Sequence, residues 1–302
     1  MSGYNRWIRL AGGWSGRVFL EIKGYGAGSA LSRHTFGVGD WKRCLREPEA
    51  LRAGERIYKK QGSAQVVGKD LRVGSTVIQV IVKSYPLRRG WKGLLEGVRR
   101  SRALRQWHRA CLLVSRQLPT AFPLVVLERR KFFLLRESIL LTEEIPNSYN
   151  LHRALKRGEI GSYTTRQRRE LAERVGALLG KLYARGFRHR DCKASNLIIE
   201  RGLKVKGGIR VWLIDLDGLR LGRWYRYTRR QGHFRRHQAL IRLGVSLWES
   251  KDLRLTDYTR CLRAYLREGG FEEAGGRQLR HQLHRQLRED IQRAVWEKKN
   301  AH

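Results

Sequence analysis

Acidic residues are scarce in this chain: Asp and Glu number 27 against 64 Lys and Arg, a formal net charge of +37 at pH 7 over 302 residues. That excess goes far beyond what solubility needs and restricts the partners to anionic ones: nucleic acid, an acidic membrane leaflet or a phosphorylated glycolipid. Cysteine is scarce too. Cys44, Cys111, Cys192 and Cys261 show neither paired metal-ligand spacing nor the framework of a small secreted domain, so reduced thiols are expected. No apolar stretch reaches the ~18 residues needed to cross a bilayer, and residues 1–22 lack the uninterrupted apolar run of a signal peptide. Contact with a membrane is therefore expected from its surface. About four engaged arginines, at roughly 1 kcal/mol each, would turn millimolar association with an anionic surface into micromolar.

Two short stretches carry the chemistry. His189-Arg190-Asp191-Cys192-Lys193-Ala194-Ser195-Asn196, followed by Leu213-Ile214-Asp215-Leu216-Asp217-Gly218, sets a carboxylate, a lysine and an amide in D-x-K-x-x-N spacing, with a second carboxylate at a strand end. Phosphoryl transfer needs these groups. An acceptor hydroxyl must lose a proton, which suits Asp191, and charge builds on the moving phosphoryl oxygens, which suits Lys193. A magnesium ion needs hard oxygen ligands, which suit Asn196 and Asp215. A solvated charged turn is the plainer reading, but it leaves the flanks unexplained. Residues 166–184 predict a helix with Leu171, Val175, Leu178, Leu179 and Leu182 on one face and Gly186 as its stop. Residues 197–199 and 209–214 predict short strands around a turn at 201–208. Helix, loop, hairpin and acid follow one another as in a kinase C-lobe.

Upstream, S-T-V-I-Q-V-I-V-K (75–83) is a β-branched run ending in Lys83, where an amine could neutralise nucleotide α and β phosphates. Residues 55–67 predict a hairpin in the position of a phosphate-covering loop, with only Gly62 and Ser63 to bring backbone near phosphate. The glycine-rich stretch 23–29 lies too far ahead of Lys83 and reads as a flexible turn. An apolar strand over 132–145 leads into a hinge at 142–146, where the backbone of Glu143 and Ile145 would meet adenine. The partner of Lys83 stays open between Glu96, the nearest acid, and Gln106, which has the better helix phase.

The pattern resembles the lipopolysaccharide core kinase family, bacterial sugar kinases of the protein-kinase-like superfamily that phosphorylate heptose or Kdo. The similar stretches are I-V-K-S-Y (81–85), S-R-A-L-R-Q-W (101–107), Q-L-P-T-A-F-P-L (117–124), L-L-T-E-E-I-P (140–146) and the arginine-rich segment after Asp217. The resemblance spans about residues 55–266. It implies an α+β, bilobal protein-kinase-like fold: an N-lobe of antiparallel sheet plus helix over 51–145, and a mainly helical C-lobe over 146–302. Residues 1–50 then form an N-terminal extension of unclear role. It also implies ATP with Mg2+, a saccharide hydroxyl as acceptor, and roles for Lys83, Asp191, Lys193, Asn196 and Asp215 at the matched positions. The departures are the poor glycine loop, Asp217 where protein kinases place the glycine of D-F-G, and the missing partner glutamate.

No A-P-E sequence follows Asp215, which argues against a eukaryotic-type protein kinase. Residues 220–242 instead interleave arginines with Trp224, Tyr225, Tyr227 and Phe234, suited to an anionic glycolipid. The expected partners are ATP, the lipopolysaccharide core and the anionic cytoplasmic face of a membrane, with no specific nucleic acid. An atypical protein kinase or small-molecule phosphotransferase shares the same residues and differs in acceptor. A third reading is a non-catalytic basic module that binds nucleic acid or anionic lipid. Helices are further predicted over 94–117, 252–267 and 277–298. In the last, Leu279, Leu283, Leu287, Ile291 and Val295 form a buried stripe. His233, His237, His281 and His284 lack an acid at matching phase, and no metal site is expected there.

Overall fold

Apolar residues at every second position make the N-terminal half a sheet, and apolar stripes at helical spacing make the C-terminal half helical. The computed structural model describes residues 5–20, 35–54, 56–59, 64–86, 99–201, 208–222, 233–247, 250–270 and 276–300. The chain divides into two compact units, Met1–Ile145 and Pro146–His302.

The first unit runs β1 (Asn5–Arg9), β2 (Trp14–Phe19), α1 (Val38–Cys44), β3 (Arg56–Lys59), β4 (Gln65–Val73), β5 (Thr76–Pro86), α2 (Arg102–Ser115), β6 (Pro123–Lys131) and β7 (Leu134–Glu143). Its strands form one antiparallel sheet in the order β1-β2-β6-β7-β5-β4-β3. Along β5 the period of two is visible: Ile78, Val80 and Val82 are buried, while Gln79, Ile81 and Lys83 take the other face. Helix α2 begins at Ser101, whose Oγ accepts a hydrogen bond from the Leu104 amide at 3.0 Å. It adds Ala103 and Trp107 to the core that Val80, Val82, Leu124 and Leu127 also build.

Residues 1–50, read from the sequence as an extension of unclear role, contribute two strands to this same sheet. Gly16 explains how β2 docks on β6. A Cβ there would stand 1.9 Å from the Val126 carbonyl oxygen, so only glycine allows the approach. Trp41 of α1 fastens the edge by donating its Nε1 hydrogen to the Phe19 carbonyl at 2.9 Å. The strand expected from residue 132 begins two residues later, because Phe132 and Phe133 turn the chain between β6 and β7. Of the helix expected over 94–117, residues 94–98 lie outside the described residues, and α2 ends at Ser115.

The second unit runs β8 (Ser148–Asn150), α3 (Leu151–Lys156), α4 (Thr165–Ala184), β9 (Phe187–His189), β10 (Leu197–Arg201), β11 (Ile209–Leu213), β12 (Leu219–Leu221), α5 (His233–Leu247), α6 (Leu255–Glu268) and α7 (Gly276–Asn300). Thr164 and Gln167 cap α4 reciprocally, and Gly186, at φ 77°, ends it in the left-handed conformation. The predicted face of α4 is the buried one: Leu171, Val175, Leu178, Leu179 and Leu182 all face inward. Helix α6 crosses α4 at Gly176 and Gly180, where added Cβ atoms would meet the Cys261 and Tyr265 carbonyl oxygens at 2.0 and 2.6 Å. Small sheets, β11-β10-β8 and β12-β9, complete the unit.

Candidate active site

The pairing of β9 with β12 brings the two motifs together. Leu219 lies opposite His189, and the Arg190 amide donates to the Gly218 carbonyl at 3.0 Å. Gly218 is squeezed there: a Cβ would lie 3.0 Å from the Asp191 nitrogen and 3.2 Å from the His189 ring. The buried His189 ring donates from Nε2 to the Asp215 carbonyl at 3.1 Å. Asp215 itself adopts φ 56° and ψ 72°, a left-handed backbone uncommon for a residue with a Cβ, and His189 holds it.

Asn196 stitches the loop to its neighbours. Its Nδ2 donates to the Asp191 carbonyl at 2.7 Å, and its own carbonyl accepts from the Ile214 amide at 2.9 Å. With the amide nitrogen engaged inward, Oδ1 has only a 3.4 Å contact from the Ser195 hydroxyl and keeps acceptor capacity for a further ligand. Asn150 and Ser246 secure the backbone between. Asn150 donates Nδ2 to the Ser195 carbonyl at 2.6 Å while its Oδ1 caps α3, and Ser246 Oγ accepts from the Ala194 amide at 3.0 Å.

Asp191 and Lys193 project to solvent as an ion pair, Nζ to Oδ2 at 3.0 Å, with side chains 58% and 47% exposed. A pair so exposed contributes little to stability. Cys192, between them, turns inward and is fully buried. Burial pushes its thiol up to about 12, and nearby Asp191 and Cys261 push the same way. So high a pKa makes it a packing residue rather than a nucleophile.

In the first unit, Lys83 on β5 is half-buried and sits in register with Val66 of β4 and Leu140 of β7, while Ile81 and Thr142 pair on the same face. Glu143 ends β7, its amide donating to the Phe122 carbonyl at 2.9 Å, and Ile145 is two residues further on. Glu144, which the sequence reading passed over, binds Arg56 at 2.9 Å and the Tyr58 hydroxyl at 2.6 Å. Arg56 also reaches Asp70 at 2.8 Å, so edge strand β3 and its neighbour β4 are tied to the segment after β7. The two carboxylates hold Arg56 more firmly protonated than an ordinary guanidinium. Gly62, Ser63 and Glu96 lie outside the described residues, as do residues 23–29 and 223–232. Gln106 is buried on α2.

Asp191, Lys193, Asn196 and Asp215 thus gather in the second unit, whereas Lys83, Glu143 and Ile145 belong to the β5 and β7 region of the first. Sequence reading gave no role to His189 and Gly218 and missed Asn150 and Ser246. The first two stand within the quoted motifs, while the other two carry no local signal. Among the described residues no three His, Cys, Asp or Glu side chains gather as a metal cage.

The chain is similar to a solved structure described as WaaP in complex with acyl carrier protein, at 22% identity and a TM-score of 0.51, over 83% of this chain and 96% of that one. At that identity the likeness speaks to the fold, which is mixed α and β and kinase-like in its two lobes. No curated protein matches. The model of the lipopolysaccharide kinase (Kdo/WaaP) family matches residues 41–265, a span that holds both motifs and Lys83. The chain therefore belongs to the lipopolysaccharide kinase (Kdo/WaaP) family, and it is a phosphotransferase that uses ATP and acts on a sugar hydroxyl.

Proposed function

We propose that this protein phosphorylates a hydroxyl of heptose or Kdo in the lipopolysaccharide inner core, at the cytoplasmic face of the membrane. The supporting observation is the convergence of Asp191, Lys193, Asn196 and the left-handed Asp215 on one loop pair. In this reading Asp191 takes or orients the acceptor proton, and Lys193, already 3.0 Å from that carboxylate, offers positive charge to the phosphoryl oxygens. Asn196 Oδ1 and the Asp215 carboxylate are hard oxygen donors that fit magnesium, which when bound neutralises charge on the phosphates. Lys83 grips the nucleotide phosphates, Gly62 and Ser63 cover them, and the backbone at Glu143 and Ile145 meets adenine. The basic surface favours an anionic acceptor held at an anionic leaflet.

The test offers three acceptors with labelled ATP: purified core saccharide, a generic protein and an aminoglycoside. Label is expected on the saccharide, and label on protein alone would displace this reading.

A second reading concerns a partner. The helical unit contains a cavity of about 320 Å³, lined by Leu171, Val175, Leu240, Leu243, Leu247 and Leu262 among others. That is the size and character of a site for an apolar ligand. Because the solved WaaP was paired with an acyl carrier protein, an acyl chain presented by such a carrier is a fitting occupant. Co-purification of the carrier with this chain, and its loss when Ala172→Phe narrows the cavity, would support it; equal recovery with both would not.

A further inference from the structure

The turn between β6 and β7 is built from the wrong residues for a turn. Phe132 and Phe133 both have positive φ, 49° and 64°. Two central residues with positive φ are what a two-residue hairpin requires, and Asn-Gly satisfies it with least strain. Phenylalanine carries the strain of a Cβ at both places, and the side chains find no apolar shelter. Phe132 is 81% and Phe133 94% exposed, the two largest exposures among the exposed bulky apolar residues described. Adjacent bulky apolar side chains held in solvent on a strained turn are costly twice over.

Their surroundings say what would cover them. Lys131 lies with its ammonium 5.7 Å from the Phe132 ring, and Arg130 donates to the Phe133 carbonyl at 3.1 Å and to the Arg99 carbonyl at 3.4 Å. Arg100 and Arg136 are exposed close by in sequence and strand. The acids that pair at this end among the described residues are the buried Glu128 and Glu137 and the half-exposed Glu49, and all three are engaged by arginines, Arg130, Arg129 and Arg52. The outer surface is thus two aromatic rings within a basic collar. An apolar protein groove would satisfy the rings but not the collar; an anionic bilayer satisfies both, the rings entering the acyl boundary and the cations meeting headgroups.

We propose that the Phe132–Phe133 tip is the element through which this protein docks on an anionic phospholipid bilayer. The inference rests on the membrane-face part of the proposed function and names the surface responsible. The experiment uses the full chain with vesicles of phosphatidylcholine alone or mixed with phosphatidylglycerol, read by co-sedimentation. The variant Phe132→Asn/Phe133→Gly installs the residues that the turn prefers, so its melting temperature should hold or rise. Its partition onto anionic vesicles should fall at least ~10-fold, since fully burying one phenylalanine is worth about tenfold or more. Phosphate transfer to a soluble core saccharide should stay unchanged. Equal partition of variant and wild type would overturn the tip while leaving the membrane-face reading in place. Failure of the wild type to bind anionic vesicles would overturn both. Loss of self-association with vesicle binding intact would make the tip a contact between copies and overturn the bilayer assignment. Should the double variant fail to fold, Phe133→Ser alone, at the more exposed ring, is read in the same assay, and its partition equal to wild type would overturn the tip.

Discussion

Asp191 is the residue on which the chemical reading is most exposed to test. Because its ion pair with Lys193 lies in solvent, removal costs the fold about 1 kcal/mol or less. Asp191→Ala should lower labelled phosphate transfer by about 10²–10⁴ with an unchanged melting curve; near wild-type transfer would end the proposed role. Three cysteines, Cys192 buried and Cys111 and Cys261 partly so, make a separate prediction. Burial pushes Cys192, Cys261 and Cys111 each up to about 12 from an ordinary value of 9.0. Their thiols then stay protonated in the folded state while the unfolded chain ionises. Stability from this source is complete below pH 9 and is lost as pH rises from there through about 12. Melting temperature should therefore fall along that alkaline limb. In Cys192→Ala/Cys261→Ala the fall should be shallower, and an identical slope would assign the loss to other groups, such as Tyr258, which burial also raises to about 12.

The close helix crossing depends on two glycines of α4. At Gly176 an added methyl meets the Cys261 carbonyl oxygen at 2.0 Å, backbone that can yield only if α6 moves. Gly176→Ala should destabilise by about 1–3 kcal/mol in a denaturant titration, although alanine is the better helix former. Gly39, inside α1, has nothing within 4 Å of the same added atom. Gly39→Ala should accordingly be neutral or stabilising by up to about 1 kcal/mol. If both glycines respond alike, packing is not what distinguishes them. Helix α4 was legible because its apolar stripe and stop signal are local. The β6–β7 turn was not, because Lys131-Phe132-Phe133-Leu134 continues an apolar run and nothing in phenylalanine announces positive φ. The docking of β2 on β6 was equally hidden. It joins segments far apart in sequence, and Gly16 shows its purpose only beside Val126.

Across the whole molecule the charge of +37 predicts behaviour rather than shape. Raising salt from ~0.1 to ~1 M shortens the screening length from about 10 to about 3 Å, which should release the protein from anionic vesicles. Binding that persists in co-sedimentation at the higher salt would point to apolar insertion as the dominant attraction. No helix among the described residues is long and apolar enough to cross a membrane. The proposed contact is assigned to surface charge and the hairpin tip.

The order of chemical groups, D-x-K-x-x-N followed by a strand-end acid, was set by sequence alone, because those residues act within a few positions of one another and their spacing survives without coordinates. The fold class came from the family resemblance that those motifs carry, while individual strands and helices followed from hydrophobic periods of two and of about 3.6, which are also local. Tertiary structure alone decided what supports the loop. Asn150, Ser246, His189 and Gly218 act through hydrogen bonds and close approach across chain distances that no sequence period encodes. It alone turned two phenylalanines outward, because exposure belongs to the packed chain and not to any residue within it.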